Sequence, residues 1–327
     1  MCLFLCLYGW LLASAQQRIV VEAGSAESLL AAISQANRLH DTPQREWLYI
    51  VIPSGTYDLG ERVLTTLTAN HVALVGAGMD STIIRNAPSV EMEGIATTAT
   101  LRIVGTDNSL QDLTLCNAMM EGGGRAVCLQ DKGTRTICRR VRMLSFQDTY
   151  YSDNETGQMY FEDCEIHGTV DFICGAGDVV FNRCLIVTEQ RQGNKSCVIA
   201  APRTSETAWG FVFLDCTIRN EGSPFVYARG WRITPKCTWI NTTLLSPSML
   251  AATRFEPKGM RTIDSSFKEY GTHDSEGRSV MPQSHPLTLT LKGVQQTIET
   301  VLSKREARLY TLKNIFPHWK VWKILVP

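Results

Sequence analysis

The chain has 327 residues, of which 44% are hydrophobic, so it is long enough to bury a large core as one or two domains. Its 32 basic and 32 acidic residues balance, which argues against a nucleic-acid surface or a polybasic membrane patch. The binding partner must therefore be inferred from a site rather than from the overall charge.

The N-terminal run from Met1 to Ala15 is apolar and uncharged and ends in the small residues Ala13-Ser14-Ala15. It is shorter than the roughly 20 residues of a membrane-spanning helix. It lacks the usual basic start, but its end resembles a signal-peptidase site. We predict a signal peptide over residues 1–15, a secreted or periplasmic protein, and a single domain over residues 16–327; the alternative is a buried N-terminal element. No later segment is predicted to span a membrane.

A helix and short strands are predicted to follow this run. Ser25 is a candidate N-cap for a helix that ends near the charged segment from His40 to Glu46. Trp47 to Ile52 and Val72 to Val75 are apolar runs bounded by turn-forming residues, which is typical of strands. The residues expected on the buried face of the helix are Leu29, Leu30, Ile33 and Ala36.

A repeat runs through the middle of the chain, with a large residue, an apolar residue three positions later and an aliphatic residue two positions after that. Equivalent positions are 20 to 32 residues apart, a period typical of solenoids. The units are short β-branched and aromatic strands, so we predict an all-β parallel β-helix with short N- and C-terminal helical segments. The units are Leu110/Leu113/Leu115, Cys138/Val141/Met143, Phe161/Cys164/Ile166, Phe181/Cys184/Ile186, Phe213/Cys216/Ile218 and Trp239/Thr242/Leu244.

Cysteines recur within this repeat. The 11 cysteines include no C-x-x-C pair and no His/Cys spacing suited to zinc. We therefore interpret them as small buried side chains stacked between coils, and we predict no metal site; one disulfide is left open.

The C-terminal part is predicted to cover the end of the stack. Thr297 to Tyr310 has apolar residues at helical spacing, which favours a helix. Trp319 and Trp322 lie beside lysines, and we expect them to pack onto the body of the protein rather than to form a binding tail.

Two aspartates are the candidate catalytic residues. Asp148 follows Gln147 after a strand-like run, and Asp171 stands 23 residues later, about one coil of the repeat. Stacked coils lie about 4.8 Å apart, so equivalent positions would bring the two carboxylates together as an acid/base pair. The alternative is that each aspartate is a turn residue, which the apolar neighbours of Asp171 argue against.

A carboxylate among apolar neighbours requires a cationic partner. Arg229 is the candidate, because its planar fork can hold a carboxylate through two hydrogen bonds. Trp231, two residues later, offers a flat face for a sugar ring. His167 invites a catalytic or metal interpretation, but no serine motif accompanies it and we favour a groove-lining residue.

These motifs resemble those of the pectin methylesterase (pectinesterase) family, whose fold is a right-handed parallel β-helix. QDTYY at Gln147 is similar to the family's QDTL box, GTVDFICG at Gly168 to its GTVDFIFG box, and ARGW ending at Trp231 to its LGRPW box. With similar segments nearer both ends of the chain, the resemblance covers most of residues 19–316. The resemblance implies hydrolysis of methyl esters in pectin (homogalacturonan), without cofactor or metal, by a monomer.

By this resemblance Asp171 corresponds to the nucleophile, Asp148 to the general acid/base, Gln147 to an oxyanion donor and Arg229 to the partner of the nucleophile. Trp231 corresponds to a sugar-stacking residue.

Three more residues are predicted to bind substrate: Arg125, Thr149 and Phe172. Arg125 stands where the family commonly has a glutamine oxyanion donor, so it is expected to donate in its place from the edge of a strand, Arg125 to Leu129, in which Arg125, Val127 and Leu129 share a face. Cys174 and Gly230 also depart from the family pattern.

Other functions fit the same fold. A pectate lyase would require acidic calcium ligands, and a galacturonan hydrolase several clustered carboxylates with a histidine. Arg125 also leaves open a carbohydrate-binding protein that has lost catalysis. Methanol release from esterified pectin would distinguish the esterase from all three.

Overall fold

The computed structural model describes residues 17–40, 46–92, 94–204, 206–232, 234–262 and 264–321. These residues form a right-handed parallel β-helix, as predicted from the sequence. The predicted signal peptide and Trp322 lie outside the described residues. No helix within the described ranges has the length and apolar character needed to cross a membrane.

Short strands are the main regular secondary structure of the described chain. They are β1 (Gln17–Val20), β2 (Leu48–Val51), β3 (Gly55–Asp58), β4 (Thr65–Leu67), β5 (Val72–Val75), β6 (Thr82–Asn86), β7 (Leu101–Ile103), β8 (Ser109–Asn117), β9 (Leu129–Asp131), β10 (Thr136–Leu144), β11 (Tyr150–Ser152), β12 (Gln158–Glu162), β13 (Glu165–Gly168), β14 (Val170–Gly175), β15 (Asp178–Asn182), β16 (Leu185–Thr188), β17 (Cys197–Pro202), β18 (Phe211–Leu214), β19 (Thr217–Asn220), β20 (Phe225–Arg229), β21 (Lys236–Ile240), β22 (Thr243–Leu244), β23 (Phe255–Glu256), β24 (Ser266–Tyr270), β25 (His273–Asp274), β26 (Pro286–Leu291) and β27 (Val294–Glu299).

The helices are short apart from the first. They are α1 (Ala26–Leu39), α2 (Lys304–Ala307) and α3 (Leu312–Ile315), with 3₁₀ turns at Val90–Met92, Gln192–Asn194 and Pro247–Met249.

Three groups of strands are present in the described chain. One sheet of 17 strands bends at a corner and forms two faces of the stack, and a sheet of eight strands, which includes β9, β11, β14, β17 and β20, forms the third. β26 and β27 pair as a separate antiparallel hairpin. Within the stack each strand pairs in parallel with the equivalent strand of the next coil. Loops therefore leave every coil at the same edges.

The register confirms the predicted repeat. The first member of each unit faces its counterpart in the next coil, from Leu110 through Cys138, Phe161, Phe181 and Phe213 to Trp239. The rings of the last four residues lie one above another in the interior of the β-helix, with successive ring centres 4.8, 4.6 and 3.7 Å apart. Aromatic stacking adds to the burial of apolar area in holding the coils together.

All nine cysteines of the described chain are free thiols, and eight of them are buried. Cys164, Cys184 and Cys216 occupy the same position in three successive coils. Their prediction as small side chains packed between coils is confirmed.

The corner of the 17-stranded sheet has a feature that the sequence analysis missed. In each repeat unit the residue just before the apolar position has φ between 49° and 55°, the left-handed region that aspartate and asparagine adopt more readily than most residues. Acidic and basic residues largely alternate there, so that Arg140 pairs with Asp112 and Arg183 with Asp163. The corner residues are Asp112, Arg140, Asp163, Arg183, Asp215 and Asn241.

The helix predicted after Ser25 is present as α1. The Ser25 side chain accepts a hydrogen bond from Ser28 N and caps the helix. Leu29, Ile33 and Ala36 are buried as expected, whereas Leu30 is only partly buried.

The prediction of one helix from Thr297 to Tyr310 is wrong. Residues up to Glu299 belong to β27, and the only helix within that span is the single turn α2. Alternating polar and apolar residues in β26 and a two-residue Lys292-Gly293 turn, with φ of 50° and 79°, favour a hairpin instead. Trp319 is buried against Phe316, so its predicted packing onto the body is confirmed.

Candidate active site

Asp148 and Asp171 occupy equivalent positions in adjacent coils of the eight-stranded sheet. Gln147 pairs with Val170 before them, and Tyr150 pairs with Ile173 after them. Both aspartates have left-handed backbones, with φ of 59° and 50°. Aspartate adopts this left-handed region more readily than most residues. The predicted spacing of one coil between Asp148 and Asp171 is confirmed.

Arg229 lies against Asp171, two coils further along the same sheet. Its Nε donates to Asp171 Oδ1 at 2.8 Å, and its Nη2 donates to Oδ2 at 2.5 Å. The Asp171 side chain remains 20% exposed. Burial alone would lower the pKa of Arg229, but the hydrogen bonds and charge of Asp171 outweigh it and raise that pKa. The guanidinium therefore stays charged and holds the carboxylate in one orientation.

The two aspartates line a cleft of about 260 Å³ on the outer face of the sheet. The Asp148 side chain is only 7% exposed, so it reaches the cleft from below the surface. The residues that line the cleft are Ile95, Arg125, Gln147, Asp148, Asp171, Cys174, Ala201, Arg229 and Trp231.

Arg125 is brought to the cleft, although not by the predicted strand. Strand β9 begins only at Leu129, so Arg125 lies before the strand and not within it. Ala126 and Val127 are both buried, so side chains in this segment do not alternate between two faces as expected. The backbone is instead fixed by a hydrogen bond of 2.9 Å from Ala126 N to Gln147 O. Arg125 Nε lies 4.0 Å from Asp148 Oδ2, with the side chain 48% exposed. A half-exposed guanidinium thus borders the two aspartates at the cleft.

Phe172 and Thr149 do not reach the cleft, and their prediction as substrate contacts is corrected. Both have no solvent exposure. Phe172 packs into the interior of the stack, and Thr149 Oγ1 donates to His167 O at 2.7 Å. A side chain that turns inward at a pleated strand cannot contact a ligand on the outer face. These two residues support the strands that carry the aspartates.

Trp231 lies at the edge of the cleft with its backbone N donating to Pro202 O at 2.9 Å. The Tyr151 ring is 6.0 Å from the Trp231 ring, centre to centre. The guanidinium carbons of Arg203 and Arg232 lie 5.5 and 5.4 Å from the centre of the indole ring. The indole is therefore flanked by an aromatic ring and two cations.

Four further residues at or beside the cleft were not predicted from the sequence: Tyr151, Cys174, Ala201 and Ile95. The first three follow from the register, because Tyr151 faces Cys174 and Cys174 faces Ala201 across the sheet. Counting three positions on from Asp148 and Asp171 gives Tyr151 and Cys174, whereas strict alternation would give the buried residues Tyr150 and Ile173. Ile95 lies in a loop and carries no comparable sequence signal.

His167 lies outside the cleft, beside a second cavity of about 270 Å³. Its two ring nitrogens contact Glu189 Oε1 at 2.6 Å and Glu165 Oε1 at 2.7 Å. Within the described residues no group of three or more His, Cys, Asp or Glu side chains is arranged to hold a metal ion.

The fold and the cleft define a class of β-helix proteins that carry an acidic site on the outer face of one sheet. The family model for pectinesterase matches residues 18–239, and the chain belongs to the pectinesterase family.

Curated relatives support this assignment. The chain is 30% identical over 210 residues to a probable pectinesterase/pectinesterase inhibitor 21 of Arabidopsis thaliana, covering 62% of this chain and 30% of that protein. It is 33% identical over 172 residues to a probable pectinesterase 30 of the same plant, covering 52% and 34%. The matches thus span about a third of the length of these relatives.

Solved structures share the fold. A pectin methylesterase in complex with a hexasaccharide superimposes with a TM-score of 0.74 at 22% identity, covering 96% of this chain and 100% of that one. The pectin methylesterase from carrot has a TM-score of 0.72 at 21% identity, covering 91% and 92%.

Proposed function

We propose that the chain is a carboxylic ester hydrolase that removes methyl esters from the galacturonate units of pectin and releases methanol, with Asp171 as nucleophile. The observation that carries the proposal is the pair of hydrogen bonds from Arg229 to Asp171, with Asp148 one coil away on the same open cleft. Family membership and the hexasaccharide complex of a protein with the same fold support this substrate class.

In the first half-reaction an Asp171 oxygen attacks the ester carbonyl carbon at C6. Negative charge develops on the carbonyl oxygen, where Gln147 and Arg125 lie at the cleft and donate hydrogen bonds. The C–O bond to methoxide then breaks, and the leaving oxygen takes a proton from the Asp148 carboxyl group. An acyl-enzyme and methanol result.

In the second half-reaction the Asp148 carboxylate removes a proton from water, and the resulting hydroxide attacks the acyl carbon. The bond to Asp171 breaks, which restores its carboxylate beside Arg229 and leaves the proton on Asp148. Arg229 holds the same two oxygens before and after the cycle. Its part is to compensate charge and fix orientation, since a carboxylate held at both oxygens by a planar fork has little freedom.

Trp231 is proposed to stack on a sugar ring, and Arg125, half-exposed at the rim, to contact a neighbouring free galacturonate carboxylate as well. Removing one oxyanion donor typically costs about 10²- to 10³-fold in kcat. We therefore expect kcat of the Gln147→Ala variant to be about 10²- to 10³-fold lower than that of the wild type.

Methanol release from methyl-esterified homogalacturonan tests the proposal, with uronate chain length followed in parallel. Methanol release without chain cleavage is expected. Loss of activity on chelation with rescue by calcium, together with an ultraviolet-absorbing unsaturated product, would show a lyase instead; new reducing ends would show a galacturonan hydrolase. Binding of oligogalacturonide without methanol release would show a binding protein.

Residues 16–327 are further proposed to act as one monomeric domain outside the cytoplasm. The stack runs without interruption from β1 to β25, and Leu287 and Leu289 of the C-terminal hairpin pack into its core. N-terminal sequencing of the exported protein should give Gln16 as the first residue, and size-exclusion chromatography should give a monomer. An intact N-terminus or a stable dimer would contradict this part.

A further inference from the structure

Beside the cleft lies a carboxylate that the proposed reaction does not use. Asp153 follows strand β11, two residues after Tyr151, with its side chain 18% exposed. Its Oδ1 accepts hydrogen bonds from Tyr151 Oη at 2.6 Å and from Arg203 Nη2 at 3.1 Å. Its Oδ2 accepts from Gln130 Nε2 at 2.9 Å and from Lys132 Nζ at 3.1 Å. A carboxylate with four donors is fixed in position.

These donors have an electrostatic consequence. Burial would raise the pKa of Asp153, but the hydrogen bonds from Tyr151, Lys132 and Gln130 outweigh it and lower that pKa. Burial and the bond to Asp153 raise the pKa of Tyr151. Asp153 is thus a fixed negative charge, and Tyr151 a fixed hydroxyl donor.

Arg203 connects this carboxylate to the cleft. Its side chain is 14% exposed, pairs with Glu155 as well as Asp153, and places its guanidinium carbon 5.5 Å from the centre of the Trp231 ring. Its backbone N donates to Gly175 O at 2.7 Å. Arg203 therefore lies against the indole while both ends of its guanidinium are held by carboxylates.

Both side chains that meet at Asp153 Oδ1 also contact Trp231. The Tyr151 ring lies 6.0 Å from the indole at an interplanar angle of 59°, and Arg203 lies within cation–π distance. The Trp231 backbone is fixed separately, through Pro202, the residue before Arg203. One carboxylate thus determines the position of two neighbours of the same indole ring.

We propose that Asp153 and Arg203 are positioning residues that hold the Trp231 ring ready to stack on a sugar of the bound polyuronate. The inference rests on the proposed function. An indole held before binding loses less side-chain entropy when a sugar docks, so the pair lowers the cost of binding rather than that of the chemical step.

Asp153→Asn tests the inference with little change of volume. The amide offers one acceptor oxygen in place of two, so one of its two pairs of donors loses its acceptor. We expect KM for methyl-esterified oligogalacturonide to rise about tenfold while kcat stays within about twofold, the pattern of lost uniform binding. Arg203→Met should do the same, and Arg203→Lys, which keeps a charge near Asp153, should recover part of the loss.

The matched controls are Asp163→Asn and Arg183→Met. These residues form a similar ion pair, but at the corner of the 17-stranded sheet rather than on the sheet of the cleft. Their KM should stay at the wild-type value. An equal rise in KM in the controls would show a general effect of lost ion pairs and would overturn the inference.

The Trp231→Ala background separates positioning from a merely structural role. If Asp153 acts through the indole, adding Asp153→Asn to Trp231→Ala should leave KM at the value of the Trp231→Ala variant. If the two residues act independently, their effects on KM should multiply. A further rise of about tenfold in the double variant, or a wild-type KM in Asp153→Asn alone, would overturn the inference. A wild-type protein that releases no methanol would instead overturn the proposed function; indole fluorescence during oligogalacturonide titration would then still compare binding by the wild type and Asp153→Asn.

Discussion

Arg229 and Asp171 are 58 positions apart in the chain and are joined by two hydrogen bonds of 2.8 and 2.5 Å. The fold brings them together because β14, β17 and β20 are consecutive in the eight-stranded sheet. The planar guanidinium matches the carboxylate at both oxygens, so charge and orientation are set by one partner.

Arg229→Lys separates these two contributions. Lysine keeps the positive charge but cannot bond both Asp171 oxygens in one plane, so the carboxylate gains rotational freedom. We expect kcat for methanol release to fall about 10- to 100-fold with KM nearly unchanged. The control is Arg183→Lys, which alters a two-bond pair with Asp163 away from the cleft and should have no effect on kcat. Wild-type kcat in Arg229→Lys would show that charge alone suffices.

Arg125 tests whether a second side-chain oxyanion donor operates. Arg125→Ala should lower kcat about 10- to 100-fold, because Gln147 remains as a donor. Arg125→Gln should keep most of kcat, since the amide also donates, but should raise KM on sparsely methylated pectin. Arg140→Ala is a matched control, because that side chain is 49% exposed against 48% for Arg125. Unchanged kinetics in Arg125→Ala on both pectins would leave Arg125 as a surface residue.

Asp131 should make stability depend on pH. Burial raises the pKa of this carboxyl to about 7, partly offset by hydrogen bonds that include one from Gly133 N. A raised pKa in the folded state stabilises the fold at low pH, and this contribution is lost as the pH rises through about 7. The loss amounts to roughly 4 kcal/mol at most, on the scale of 1.36 kcal/mol per pKa unit.

Asp131→Asn should remove this dependence and unfold at higher urea concentration than the wild type at pH 8, with a smaller difference at pH 5. Asp80→Asn is the control, since that side chain is 86% exposed. Urea unfolding curves at the two pH values measure the effect. A parallel pH dependence in the wild type and Asp131→Asn would contradict this assignment.

The aromatic stack predicts a large loss of stability on truncation. Phe213 is fully buried between Phe181 and Trp239, so Phe213→Ala leaves a cavity inside the stack. We expect a loss of about 3 to 5 kcal/mol in the free energy of unfolding. Leu309→Ala, at a side chain that is 54% exposed, should change it by less than about 0.5 kcal/mol. Chemical denaturation of both variants provides the measurement.

The coils could be predicted from the sequence because equivalent large residues recur once in every coil. Each large residue, from Leu110 to Trp239, has to face its counterpart one coil away, so the period survives in the sequence despite loops of different length. The left-handed corner was missed because Asp112 and Arg140 share a backbone conformation rather than a side-chain type. The C-terminal hairpin was missed because Ile298 and Leu302 also fit a helical period.

The site was predictable where position in the coil alone determines a contact. Asp148 and Asp171 follow from their spacing, and Arg229 from the need of a carboxylate for a cation. Phe172 and Thr149 were misplaced because each directly follows an aspartate that faces the cleft, and neighbouring side chains of a strand point to opposite faces. Tyr151 and Cys174 were missed because the left-handed backbone at Asp148 and Asp171 breaks the alternation that follows, so that the next outward side chain comes three positions later. A change of backbone region at one residue carries no unambiguous signal in the sequence.

The most direct test of the proposed esterase is methanol release by Asp171→Asn on methyl-esterified homogalacturonan, with circular dichroism and thermal unfolding to show that the variant is folded. An amide in place of the carboxylate keeps the shape of the side chain but removes the nucleophile and the charge that faces Arg229. We predict methanol release at least about 10³-fold slower than in the wild type. A folded Asp171→Asn variant that releases methanol at a rate near that of the wild type would contradict the proposal.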